Sequence, residues 1–246
     1  MLIVPRRRAV AAGGWTPAQI PTALWLDASD ASTITTVNGA VSEWRDKSGN
    51  GRNATQTNPA ERPTYTVAGL NGKNILTSTG GKRLSLPSIP LTTNASLFMV
   101  INDTRNGGFS VALVLSAGST RSYTLLTNLS GNNKWGAYTN AAYAASSDID
   151  SNFSIASINY AGTNLSFFKN GATDGSLTVS DTTVFNSSWI FSDQYGSSLA
   201  GNIAETIFID YLPTTTLRQQ IEGYLAHGWA QTSILPSNHP YKSLAP

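Results

Sequence analysis

The sequence predicts an all-β protein, an antiparallel two-sheet sandwich closed by one helix near its C-terminus. Three observations carry that expectation. Apolar runs such as ALWLD (23–27) and SLFMVIND (96–103) are bounded by turn-forming residues, as buried strands are. Turn signals recur at short, regular spacing with almost no helical period between them, the pattern of a sandwich. Charged residues are 12% of the 246, about half the usual quarter of a soluble domain. A chain so sparing of Glu and Lys has little exposed helix surface to cover.

Taken in order, residues 1–14 read as a basic arm: a short apolar tip, Pro5, then Arg6, Arg7 and Arg8, then small residues up to Gly13-Gly14. No periodicity there buries a face. The planar multi-donor head of arginine makes Arg6, Arg7 and Arg8 the expected contacts to an acidic neighbour. Residues 15–246 read as a single domain. FSVALVLS (109–116) alternates and sets Phe109, Val111, Leu113 and Leu115 on one face. NFSIASINYAG (152–162), LSFFKNGATDG (165–175) and GNIAETIFIDYL (201–212) add strands. Within the second of these, Asn170-Gly171 supplies the positive φ angles of a type I′ hairpin turn.

A helix is expected over 214–230, because Leu217, Ile221, Leu225 and Trp229 recur at four-residue spacing on one stripe. Thr214 to Thr216 offer a hydroxyl cap, and Gln219 or Gln220 completes a capping box. LPSNHPYKSLAP (235–246) then runs extended, since its three prolines prevent helix and central strand alike.

Composition narrows the function. The absence of cysteine excludes a disulfide framework, thiolate zinc sites and a Cys nucleophile. A net charge of +2 is too small to indicate a nucleic-acid partner. No run approaches the ~18 apolar residues of a membrane span. The apolar stretch Leu2 to Val4 is too short for a secretory leader, and its arginines follow instead of preceding it. The expectation is therefore assembly in a cytoplasm.

Four candidate chemistries remain. In WRDKSGNGRNATQ (44–56), Asp46, Ser48, Asn50 and Gly51 fit the first half of an EF-hand loop, which makes Asp46 and Asn50 the calcium candidates. The twelfth position is Thr57 instead of the bidentate Glu. The default is a turn in which Asp46 and Asn50 bond their own backbone and the glycines take positive φ; no metal or cofactor is expected. Alternation in IAETIFIDY sets Glu205 on one face with Ile203, Ile207, Ile209 and Tyr211. A carboxylate there is either paired and structural or a general acid with a raised pKa, and glycoside hydrolysis needs a second carboxylate that this face lacks. His227 and His239 lack the spacing of a helical metal pair. NNKWGAYTNAAY (132–143) sets Trp135, Tyr138 and Tyr143 among amides. Rings for a sugar's apolar face and amides for its hydroxyls make these three the candidate carbohydrate site, against the alternative that Trp135 is core.

Three stretches together resemble one family. ALWLDASDASTI, VSEWRDKSGNGRNATQ with the RPTY and LNGK that follow, and GNIAETIFID with IEGYLAHGWAQTSILPSNHPYK are similar to the laminin-G-like branch of the concanavalin A-like lectin/glucanase superfamily. That branch is frequent in phage structural proteins and large bacterial surface proteins. The resemblance covers roughly residues 22–246 and is carried by its two ends. It implies a two-sheet jelly roll whose concave face or loop rim binds carbohydrate or protein, with Glu205 in a structural role and W-x-D-x-S-G-N-G as a turn. Glucanase members carry E-x-D-x-E or E-x-D-x-x-E on one strand; this chain carries neither, so it is expected not to be an enzyme. A basic arm on a sparsely charged β domain also resembles phage virion proteins. The resulting expectation is a decoration protein on the head or tail of a phage particle. Arg6, Arg7 and Arg8 would dock on capsid or tail proteins, and the sandwich would face cell-surface glycans. Self-association is left open. The alternatives are a free carbohydrate-binding or adhesion module, and a polysaccharide hydrolase built on Glu205.

Overall fold

The computed structural model describes residues 14–90, 92–105, 108–116, 122–128, 134–139, 141–145, 147–149, 151–179 and 187–246. The arm that carries Arg6, Arg7 and Arg8 lies outside them. The N-terminal part forms β1 (Leu24–Asp27), β2 (Ile34–Val37), β3 (Ala40–Trp44), β4 (Ala54–Thr55), β5 (Thr64–Leu70), β6 (Lys73–Thr79) and β7 (Leu84–Leu86). The middle forms β8 (Asn94–Asp103), β9 (Ser110–Ser116), β10 (Ser122–Asn128), β11 (Gly136–Thr139) and β12 (Ala141–Ala144). Then come β13 (Ser154–Ala161), β14 (Asn164–Lys169), β15 (Ala172–Thr178), β16 (Ser188–Ile190), β17 (Ala200–Ile209) and the helix α1 (Thr215–Gly228).

Every described strand pairing is antiparallel, and the pairings resolve into two sheets. The first runs β5–β6–β17–β8–β13–β14–β15, with β1 taking over from β6 along the C-terminal half of β17. The second runs β2–β3–β4–β7–β16–β9–β10–β11–β12. One residue pair, Ala40 with Thr64, joins them at the edge. They face each other: Tyr123 of β10 packs its ring 4.4 Å from Tyr160 of β13 and 5.7 Å from Phe208 of β17. The result is the β-sandwich jelly roll that the sequence predicts.

The helix makes a third layer on the outside of the first sheet. Asp27 pairs with Glu205 and Trp25 with Ile207, so these four share the face turned away from Phe208. Against that face lie the buried α1 residues Ile221, Leu225 and Ala226. Burying one such leucine contributes roughly 1.5–3 kcal/mol, so the stripe predicted from four-residue spacing is what fixes the helix. Thr214 is the N-cap, its Oγ1 accepting the Leu217 N–H at 3.2 Å. That leaves Leu217 at the third helical position, so neither Gln219 nor Gln220 stands where a capping box needs it.

Two bulges change faces that simple alternation assigns. In β9 the register steps from Leu113 to Val111 while β10 advances one residue, from Leu125 to Leu126. The additional residue, Ala112, turns Val111 out of the main core. It joins Val114 and Leu126, with Phe109 and Tyr138 packed against them, in a separate cluster, while Leu113 and Leu115 stay inside. In β17, Ala204 is the additional residue between Ile203 and Glu205. Alternation predicted from Ile203 to Tyr211 therefore holds only beyond it.

Asn170-Gly171, with φ of 54° and 82°, closes the β14–β15 hairpin as expected, and Asn38-Gly39 and Asn71-Gly72 close two more with the same signs. The C-terminal segment, expected to run extended, instead folds into turns: the His239 N–H bonds Pro236 O at 3.0 Å and the Lys242 N–H bonds His239 O at 3.0 Å. Pro240 stands at the second position of the latter turn, where its fixed φ is favourable.

Candidate functional site

Trp135 does not reach the surface. It is fully buried, edge-on to Phe167 with centroids 5.5 Å apart, and its Nε1 donates to Asp174 Oδ2 at 2.6 Å. The sugar platform expected from Trp135, Tyr138 and Tyr143 therefore does not form as one surface. The reason is parity: Trp135 and Tyr138 are three residues apart on an extended segment, so they point to opposite sides. Tyr143 pairs its backbone with Ala137, and its side chain lies outside the described ones.

Tyr138 instead meets Phe109, ring centroids 6.1 Å apart and nearly perpendicular. The β9 bulge brings Phe109 there, an example of a bulge re-aiming a side chain. A loop then adds the third ring. Ser192 and Ser198 bridge its base, and Asp193 Oδ1 accepts the N–H groups of Tyr195 at 2.8 Å and Ser197 at 2.9 Å. Gly196 takes φ of 84° to complete the turn, which leaves Tyr195 at the tip, 75% exposed. Arg105 clamps the two walls, bonding Phe109 O at 3.0 Å and Ser198 O. Between them lies a cleft of about 250 Å³ lined by Phe109, Tyr138, Asp193, Tyr195 and Ser197.

Chemically this is a ring-walled cleft with a carboxylate and a hydroxyl at its base. Aromatic faces present apolar area with little conformational entropy to lose, and Asp193 and Ser197 supply acceptors and a donor. Sequence reading found Tyr138 but missed Phe109, Asp193 and Tyr195. A usable signal was FSDQYGSSL (191–199), where an aromatic sits between Asp and Gly in a turn with no strand to bury it.

The remaining candidates are engaged in structure. Asp46 Oδ1 accepts the N–H groups of Trp25 at 3.0 Å and Ser48 at 2.9 Å; Oδ2 accepts Ser48 Oγ at 2.7 Å and the Arg52 N–H at 3.1 Å. Asn50 Nδ2 donates to Thr22 O at 2.9 Å and Ala23 O at 3.2 Å. The loop is thus clipped onto the start of β1, and among the described residues no three His, Asp or Glu side chains gather as a metal set. Glu205 is 2% exposed and accepts Trp25 Nε1 at 2.7 Å and Trp229 Nε1 at 2.6 Å. Burial first, then the Asp27 carboxylate, push its pKa up to about 8 against the pull of hydrogen bonds from Trp229, Trp25 and Tyr224. Lys47 bridges Asp27 at 2.8 Å and Asp30 at 3.0 Å above the Trp25 ring. His239 Nε2 meets buried Glu222 at 3.3 Å, and Glu222 pairs with Arg218 at 2.5 Å. His227 Nε2 lies 2.9 Å from Tyr241 O.

Among solved structures the chain is similar to domain 4 of AbnA, a GH43 extracellular arabinanase from Geobacillus stearothermophilus, in complex with arabinotriose. The TM-score is 0.60 at 12% identity, covering 79% of this chain and 95% of that one. An arabinofuranosidase complexed with arabinofuranosyl-alpha-1,2-xylobiose gives 0.57 at 13% identity, covering 82% and 58%. The botulinum neurotoxin serotype G binding domain gives 0.55 at 12% identity, covering 86% and 51%. The chain thus spans nearly all of the arabinanase domain but only part of the other two chains. No protein-family model and no curated protein matches the sequence. Identities this low establish the fold alone: the chain has the β-sandwich jelly roll found among carbohydrate-binding and glycosidase domains.

Proposed function

We propose that this chain is a non-catalytic carbohydrate-binding module that takes a neutral sugar in the cleft of Phe109, Tyr138 and Tyr195. The observation that carries the reading is Tyr195. It is held at a loop tip by the Asp193 hydrogen bonds and left 75% exposed, so the protein orders an aromatic ring that the core does not use. The arabinotriose in the similar arabinanase domain makes a neutral pentose oligosaccharide the first ligand to try. Supporting a binding role over hydrolysis, Asp193 is the one carboxylate among the described residues that line the cleft, whereas glycosidases normally set two across the bond. Glu205, behind the first sheet and tied to two indoles, belongs to the α1 layer.

Calorimetric titration with arabinotriose and a panel of neutral oligosaccharides tests this. Tyr195→Ala is expected to weaken binding at least tenfold, about 1.4 kcal/mol, with little change in melting temperature because the residue is 75% exposed. Failure of the unaltered protein to bind any neutral saccharide would discard the reading.

A second reading, compatible with the first, places the module on a phage particle as a decoration protein. The arm with Arg6, Arg7 and Arg8 supports it, as does the place where the described chain starts. Trp15 packs on Tyr224 of α1, centroids 6.0 Å apart, and its N–H bonds Pro246 O at 3.0 Å. The described chain thus begins beside the helix layer, whereas the cleft sits beyond the second sheet. Anchoring through the arm to capsid or tail proteins leaves the cleft facing outward.

A further inference from the structure

We infer that a second groove, sharing no residue with the aromatic cleft, binds an acidic saccharide. It has a volume of about 580 Å³ and lies where the start of β13, the β14–β15 turn and the turn after α1 converge. Leu70, Phe153 and Ile234 give it apolar walls, suited to the face of a sugar ring.

Its polar groups form an unusual set. Ser154 lines the groove while being only 3% exposed, and its hydroxyl bonds no described residue. With no described partner of its own, this hydroxyl at the groove wall is open to a group arriving through the groove. Asn170 spends its Oδ1 on the Ile155 N–H at 2.8 Å, which leaves its amide N–H groups as donors. The Gln231 side chain likewise has no partner among the described residues. Lys169 bonds the Asp148 backbone carbonyl, and the Asp148 carboxylate is itself paired with Lys134 at 3.2 Å.

Among the described residues, no carboxylate lines the groove. What it offers is therefore a cation, amide donors and a hydroxyl against apolar walls, the complement of an acceptor-rich, negatively charged sugar. A hexuronate fits: its carboxylate on Lys169, its hydroxyls on Asn170, Gln231 and Ser154, its ring face on Phe153. The contrast with the Asp193-based cleft, where a carboxylate repels anions, assigns the two sites opposite charge preferences.

Trigalacturonic acid and galactotriose, titrated separately at low ionic strength, test this. The acid is expected to bind, and Lys169→Gln and Gln231→Ala are each expected to weaken it at least tenfold. Rising salt should also weaken it, as screening requires. Ser154→Ala removes a hydroxyl that bonds no described residue, so it should weaken binding without lowering the melting temperature. Tyr195→Ala should leave trigalacturonate binding unchanged, which separates this site from the neutral-sugar cleft. No binding of the acid, equal affinity for galactotriose, or loss on Tyr195→Ala but not on Lys169→Gln would each overturn the assignment.

Discussion

Glu205 joins three elements through one carboxyl group: it stands on β17 and accepts the indole N–H of Trp25 on β1 and of Trp229 at the end of α1. A carboxyl buried this completely resists ionisation, and its pKa rises from 4.5 to about 8. The sign of the pH effect follows. Below about pH 4.5 the group is protonated in both folded and unfolded chains and costs nothing. As pH rises from there toward 8, the unfolded chain gives up the proton while the folded one retains it, so stability falls across that window. Urea unfolding at pH 5, 6.5 and 8 should show this decline. Glu205→Gln should flatten it, and should also lower stability at pH 5 by roughly 1–3 kcal/mol, because an amide N–H₂ now faces an indole N–H and leaves a buried donor unpaired. Equal slopes in the two proteins would remove Glu205 as the source.

At the scale of elements, the Asn-Gly hairpin turn and the Thr214 cap depend on neighbouring residues, and these were the legible part. Asn170-Gly171 forms its hairpin because both residues accept positive φ, and α1 lies within the expected 214–230 because one apolar stripe repeats along it. Gly171 also meets the C-terminal turns: a Cβ there would stand 2.8 Å from His239 Cδ2. Gly171→Ala should therefore cost about 1–3 kcal/mol, positive-φ strain plus a clash in a packed contact, read as a lower urea midpoint at constant m. A loss below ~0.5 kcal/mol would show that the tail yields. What escaped the sequence was non-local. A bulge of one residue, Ala112 or Ala204, inverts every later face on its strand, yet depends on pairing with β10 or β8. Trp135 looked like part of a surface platform because its burial partners, Phe167 and Asp174, lie more than thirty positions away.

For the whole molecule, the layers fix which way each function can face. The order is α1, first sheet, second sheet and then the aromatic cleft, with Trp15, near the start of the described chain, against Tyr224 of α1. None of the core contacts described above involves Arg6, Arg7 or Arg8. Changing all three to alanine should therefore leave the melting temperature within about 1 °C, as surface changes outside packed contacts do. The same change should strip the chain from phage particles purified with it, and the loss should match that produced by raising salt on the unaltered protein, since exposed arginine contacts are screened. Tyr195→Ala makes the complementary control, weakening sugar binding while leaving particle attachment intact. Attachment that survives the triple change would move the docking surface onto the sandwich itself. A fall of many degrees in melting temperature would instead make the arm part of the folded domain.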